Sequence, residues 1–155
     1  MSGKIDARLK ELGIELPQAT APVANYVPYT VTGNLVVVSG QVTLWGGKVE
    51  YVGKLGRDIG IEDGQKAARL CALNILTHLK TACRGDLDRV KRVVRLGGFV
   101  NCTSEFTEMP QVVNGASNLM VEIFGDAGRH ARAAVGVASL PLGVAVEVEA
   151  MFEIA

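Results

Sequence analysis

The sequence predicts an α+β fold, a mixed β-sheet with two helices packed on one face. Three observations carry this expectation. Residues 62–83 and 107–124 place apolar side chains at three- and four-residue spacings, the mark of helices with one buried face. Residues 144–154 alternate, with Val144, Val146, Val148, Ala150, Phe152 and Ile154 on one side and Ala145, Glu147, Glu149, Met151 and Glu153 on the other. The order of segments (strands, helix, strand, helix, strands) places both helices between strands of one chain.

Each element follows from local chemistry. Ile5, Leu9 and Leu12 form a short helical stripe over Lys4–Leu12, and Gly13 ends it. Leu16–Pro17 and Pro22 make a loose connector, so residues 1–25 read as an N-terminal extension. From Tyr26 to Val38 the chain is rich in Val, Tyr and Thr, and Gly33–Asn34 divides it into two strands joined by a tight turn. Trp45–Gly46–Gly47–Lys48 is a second turn, followed by a short strand over 49–52 and a glycine-rich ordered loop over 53–64.

In the first long helix, Ala68, Cys71, Ala72, Ile75, Leu79 and Ala82 share a face, and Gly85 stops it. A long strand follows over 87–102, with Gly97–Gly98 as a bulge or kink. Thr107 caps the second helix, Pro110 is tolerated in its first turn, and Val112, Ala116, Leu119 and Ile123 form its stripe. Gly125 and Gly128 end it. The last segment reads as a hairpin, 131–138 and 144–154 flanking Leu140–Pro141–Leu142–Gly143.

The 155 residues, 48% of them hydrophobic, suit one domain spanning 1–155. Sixteen basic and sixteen acidic residues cancel, leaving no net field to draw nucleic acid or an anionic membrane. Arg84, Arg89, Lys91, Arg92 and Arg95 come closest to a basic patch. Without interleaved aromatics they read as a solvated helix end and strand edge. No secretory signal and no apolar run near the ~20 residues of a membrane span is present. Cys71, Cys83 and Cys102, without CxxC spacing, read as reduced thiols, and the expected location is the cytoplasm.

Arg132 is the first candidate for chemistry. It lies in a strand among Ala134, Gly136 and Ala138, where a long charged side chain is seldom buried without a partner. An ion pair with Glu147, Glu149 or Glu153 across the sheet is one explanation. Bidentate grip of a ligand carboxylate is the other. The small residues around it point to close approach by another subunit. Glu147 and Glu149 share a strand face, as solvated charges or with one of them holding a water. Asn114 interrupts a helix in which asparagine is a mediocre former. Ser39–Gly40–Gln41 ends an apolar strand as a plain turn or as a place of close approach. His78 and His130 have no neighbours at metal-ligand spacing, and no phosphate-binding loop or GxSxG occurs, so a site without metal or cofactor is expected.

Asn34–Leu35–Val36–Val37–Val38–Ser39–Gly40–Gln41 resembles the early strand motif of the Rid (YjgF-like) family. Ala131–Arg132–Ala133–Ala134–Val135, Leu140–Pro141 and Val146–Glu147–Val148–Glu149–Ala150 resemble its C-terminal signature, and Val113–Asn114 falls at its helix asparagine. The resemblance covers residues 26–154. It implies a chorismate-mutase-like fold and a homotrimer with sites in clefts between subunits. It also implies hydrolytic deamination of 2-imino acids, formed via enamines, to 2-oxo acids and ammonia. By motif, Arg132 would hold the substrate carboxylate, Glu147 would position the attacking water, and Tyr26, Ser39, Gly40 and Asn114 would line the cleft. Ala134 stands where the family often has cysteine, and His130 where Pro or Ala is common. Those two departures leave open a non-catalytic binder of 2-oxo acids or related carboxylates. Ribonuclease or translation-inhibitor activity, also attached to the family, fits a chain of zero net charge less well.

Overall fold

A computed structural model describes residues 3–19 and 24–155; Pro22 of the expected connector lies outside them. The first helix forms as α1 (Lys4–Glu11) and buries Leu9. Its first-turn amides are capped from far along the chain, where Asp88 accepts from the Lys4 and Ile5 N–H groups at 2.9 and 2.8 Å.

Gly33, at φ 60°, turns β1 (Tyr29–Thr32) into antiparallel β2 (Leu35–Gln41). The second turn joins β3 (Leu44–Trp45) to β4 (Lys48–Val49) as a separate hairpin. The strand expected to reach residue 52 stops at Val49, because Tyr51 adopts φ 52° and leaves the extended region. Helix α2 (Ile61–Ala82) buries Ala68, Cys71, Ala72, Ile75 and Leu79 as its stripe requires. A 3-10 turn (Leu87–Arg89) leads into β5 (Val90–Asn101). Helix α3 (Met109–Phe124) has Glu108, not Thr107, at its N-cap and no side-chain cap bond. Pro110 shapes the first turn instead, needing no acceptor for an N–H it lacks.

The last two strands, β6 (Ala131–Val137) and β7 (Val146–Ile154), do not form the expected hairpin. The sheet order is β1-β2-β7-β5-β6, with β5 between them, parallel to β6 and antiparallel to β7. Helix α3 is the crossover that a parallel β5–β6 pair needs. Residues 138–145 then step over the end of β5, a gap of two strand spacings, or ~10 Å. Asn101 fixes this passage. Its backbone N–H donates to Ala145 O at 2.8 Å and its side-chain amide to Val144 O at 3.1 Å, while Lys54 donates to its Oδ1 at 2.7 Å.

Helices α2 and α3 cover one face of the sheet, over Val36, Val38, Leu96, Val100, Val148, Ala150 and Phe152. Small residues behave differently from expectation at two places. Register shifts in β5 fall at Val90/Arg92 and Val93/Arg95, not at Gly97–Gly98. Those glycines permit close approach instead: a Cβ at Gly98 would come within 2.5 Å of Val113, and one at Gly97 within 2.9 Å of Glu149 Cγ. Likewise the face of β6 bearing Arg132, Ala134 and Gly136 is the helix-covered one, not a bare sheet face. It is paired through Leu96↔Arg132 with the helix-covered side, and a Cβ at Gly136 would lie 2.7 Å from Cys102 Sγ. The open face of β6 carries Ala131, Ala133 and Val135, all exposed.

Gly115 sets how closely α3 approaches α2, since a Cβ there would overlap the Gln65 backbone carbonyl. Backbone yields less readily than a side-chain tip. Gly115→Ala is therefore expected to destabilise the fold by about 1–3 kcal/mol, read as a lower urea midpoint at unchanged slope.

Candidate functional site

Arg132 stands on the edge strand β6, half-buried against α3. Its Nη1 donates to Asn114 Oδ1 at 2.8 Å and to Ser117 Oγ at 3.2 Å. Asn114 and Ser117 are three residues apart on α3 and so share the helix face that meets β6. Among the described residues, no acceptor takes Arg132 Nε or Nη2, and no carboxylate pairs with it. The cross-sheet ion pair is absent because Arg132 and the glutamates point to opposite faces. Glu149 pairs with Arg95 at 3.1 Å, and Glu153 accepts from Asn34 at 3.0 Å.

Ser117 and His130 stand behind Arg132, a partnership the sequence does not mark. His130 Nε2 lies 2.8 Å from Ser117 Oγ, and its Nδ1 2.6 Å from Gly128 O. Burial, with the nearby Arg132 charge, holds His130 below the usual histidine range. The i, i+2 spacing of His130 and Arg132 on a strand was the available signal; Ser117, on another element, had none.

Glu147 occupies the open sheet face, in the row Glu147↔Phe99↔Val135. Between Val38 and Gln41 strand β2 carries one residue more than its partner β7, a β-bulge at Ser39–Gly40 rather than a plain turn. The bulge places Gly40 directly against the Glu147 carboxylate, where a Cβ would overlap Oε2. Ser39 holds the preceding segment, its hydroxyl donating to Val27 O at 2.7 Å and its N–H to Pro28 O at 2.8 Å. Tyr26, 56% exposed, lies just before that pinned segment. Among the described residues no donor reaches Glu147. Burial, and then the neighbouring Glu149 charge, raises its carboxyl above the ordinary range.

The predicted residues thus fall into two groups. Arg132 and Asn114 meet at the β6–α3 edge, while Glu147, Ser39 and Gly40, with Tyr26 close by in sequence, sit on the open face. Within one chain the groups stay apart, on opposite sides of the sheet with two strand spacings (~10 Å) between their strands. The basic residues of the 84–95 stretch are partly engaged elsewhere: Arg89 donates to Ala155 O, Arg92 to Arg129 O, and Arg95 pairs with Glu149. Among the described residues no three His, Cys, Asp or Glu side chains cluster as metal ligands, and no helix is long and apolar enough to cross a membrane.

Comparison with known proteins decides the family. Residues 6–154 match the family model "YjgF/chorismate_mutase-like, putative endoribonuclease". The chain belongs to the YjgF/chorismate-mutase-like (Rid) family. It is 50% identical over 154 residues to Protein TCP17 of Trypanosoma cruzi, covering 99% of this chain and 96% of that protein. Atu1372 of Agrobacterium tumefaciens, a protein of unknown function, superposes with a TM-score of 0.91 at 52% identity, covering 97% of this chain and 92% of its own. A "putative endoribonuclease" of Shewanella oneidensis gives a TM-score of 0.93 at 39% identity, covering 98% of this chain and 100% of its own. Of the residues singled out by the resemblance, Asn114 and Arg132 lie at the β6–α3 edge and Gly40 and Glu147 on the open face.

The raised Glu147 carboxyl has a consequence for stability. A folded-state pKa above the unfolded value means that ionised Glu147 opposes folding, a cost absent in acid and complete once pH exceeds the folded pKa. Glu147→Gln removes that cost. Thermal denaturation should show the variant gaining on the wild type as pH rises through the Glu147 pKa, with no such pH-dependent gain for Glu153→Gln.

Proposed function

We propose that the protein hydrolyses 2-imino acids, and their enamine precursors after tautomerisation, to 2-oxo acids and ammonia in clefts between the subunits of a homotrimer. The observation that carries this reading is the division into two half-sites, one at a sheet edge and one on an open sheet face. Each is incomplete alone and both can be solvated, so a second copy docking its β6–α3 edge over the open face would complete the cleft. Arg132 then offers a carboxylate two unused N–H donors, and Glu147, with no donor of its own, faces the reacting carbon.

The chemistry requires little more. An imine carbon is already electrophilic, so orientation of it and a water supplies much of the rate, up to ~7–11 kcal/mol in favourable cases. Glu147 accepts a proton as the water oxygen bonds to carbon and the C=N π electrons move to nitrogen. It gives that proton to the nitrogen to complete the carbinolamine, then takes the hydroxyl proton and passes it to the amine, so that the C–N bond breaks, the C=O forms and ammonia leaves. A carboxyl held above its ordinary range suits a group that both takes and gives a proton. Gly40 leaves room for the carboxylate to sit where it does.

Ala134, in place of a thiol two residues after Arg132, favours the second reading, a binder of 2-oxo acids without turnover. RNA cleavage has less support, since the net charge is zero and, among the described residues, no stack of exposed aromatics flanks either half-site.

The test couples the protein to an amino-acid oxidase and follows decay of the imine. Acceleration by the wild type is expected. Arg132→Ala should lower kcat/KM at least about 100-fold through loss of a charge-assisted bidentate contact, and Glu147→Gln should act mainly on kcat. Ligand-dependent thermal stabilisation by a 2-oxo acid with no acceleration would instead leave the binder. Mixed assembly of the two inactive variants should restore about a quarter of the wild-type sites (half times half for random pairing), because an Arg132 from one subunit then meets a Glu147 from another. No recovery on mixing would place the site within one chain.

A further inference from the structure

Taking the acid-binding reading as its basis, we infer that Ser117 and His130 are positioning residues that lock the Arg132 guanidinium with its carboxylate-binding edge presented. Donor and acceptor parity sets the direction of each bond. Gly128 O can only accept, so the 2.6 Å contact puts the proton on His130 Nδ1 and leaves Nε2 as a lone pair. The Ser117 hydroxyl, 2.8 Å away, must then donate to Nε2, which turns its own lone pairs toward Arg132 Nη1 at 3.2 Å. Asn114 Oδ1 takes the other Nη1 proton at 2.8 Å.

Both Nη1 protons are therefore engaged, and every bond in the chain runs one way, from the guanidinium to a backbone carbonyl. What remains is the Nε–Nη2 side, two parallel N–H groups whose spacing matches the two oxygens of a carboxylate. An arginine left to rotate would lose this edge among several rotamers. Held by two residues of α3, it offers the edge without that loss on binding.

The fold builds this arrangement deliberately into three elements. His130 and Arg132 are two apart entering and within β6, so both project toward α3. Asn114 and Ser117 return from one face of α3. The 3-10 turn Gly125–Gly128 packs close on α3, with no room for a Cβ at Gly128 against the Met120 carbonyl, and that packing brings Gly128 O to the imidazole. Burial and the Arg132 charge keep the ring neutral, the only state in which Nε2 accepts.

The test measures pyruvate binding by calorimetry for the wild type, Arg132→Ala, Ser117→Ala, His130→Phe and His130→Gln, with thermal denaturation beside each. His130→Phe keeps the ring shape and loses both hydrogen bonds; His130→Gln retains one donor and one acceptor. Affinity should fall about tenfold or more in Ser117→Ala and His130→Phe, and recover most of that loss in His130→Gln. Wild-type affinity in Ser117→Ala and His130→Phe, with binding lost in Arg132→Ala, overturns this inference and leaves the acid-binding reading intact. Equal loss in the Phe and Gln variants, tracking thermal stability, also overturns it, since the imidazole would then serve packing alone. Should His130→Phe fail to fold, Ser117→Ala decides. Absence of pyruvate binding by the wild type removes the acid-binding reading, and this inference with it.

Discussion

Strand β5 is hydrogen-bonded along both edges, parallel to β6 and antiparallel to β7, and this double pairing governs the rest of the molecule. A parallel neighbour needs a crossover, which α3 supplies, and the crossover lays α3 against the edge strand that carries Arg132. The antiparallel neighbour, on the other side, turns Glu147, Glu149 and Glu153 to the open face. Close contact at β5 depends on two successive residues without side chains. Gly98 receives Val113 from the helix side, and Gly97 receives the Arg95–Glu149 pair from the open side. A larger residue at Gly98 would push α3 away from the sheet, and one at Gly97 would displace the Arg95–Glu149 pair.

The polar groups follow from that geometry. A guanidinium half-buried beside a helix loses part of its water, and Asn114 and Ser117 stand one helical turn apart to accept from its Nη1 instead. A carboxylate over a backbone bulge is deprived of water without gaining a donor, which is why the Glu147 pKa moves up rather than down. One group is braced and the other is left unpaired. For a site that must grip one anion and move a proton nearby, these are complementary conditions.

Several elements were legible because their information is local. The stripes of α2 and α3, the turn at Gly33, and the alternation of β7 each depend on residues within one or two turns of one another. Register and neighbour are not local. The five residues between the expected strands 131–138 and 144–154 read as a hairpin connection, yet the segment steps over a strand, and nothing local in it says so. Ala134 packs against the core and Gly136 lies against Cys102 and Met109, neighbours that composition does not reveal. Tyr51 and Glu108 show the same limit on a smaller scale, since a positive φ and a cap depend on what the flanking chain is bonded to.

By itself, then, the sequence determined the α+β class, most of the helices and strands, and the identity of Arg132, Asn114, Gly40 and Glu147 as the residues to watch, because periodicity and motif are properties of short segments. The tertiary structure alone decided that Arg132 and Glu147 lie on opposite faces, that Ser117 and His130 stand behind the arginine, and that β6 and β7 are kept apart. Those outcomes depend on which strand inserts between which others, a choice set by packing and backbone pairing over the whole sheet.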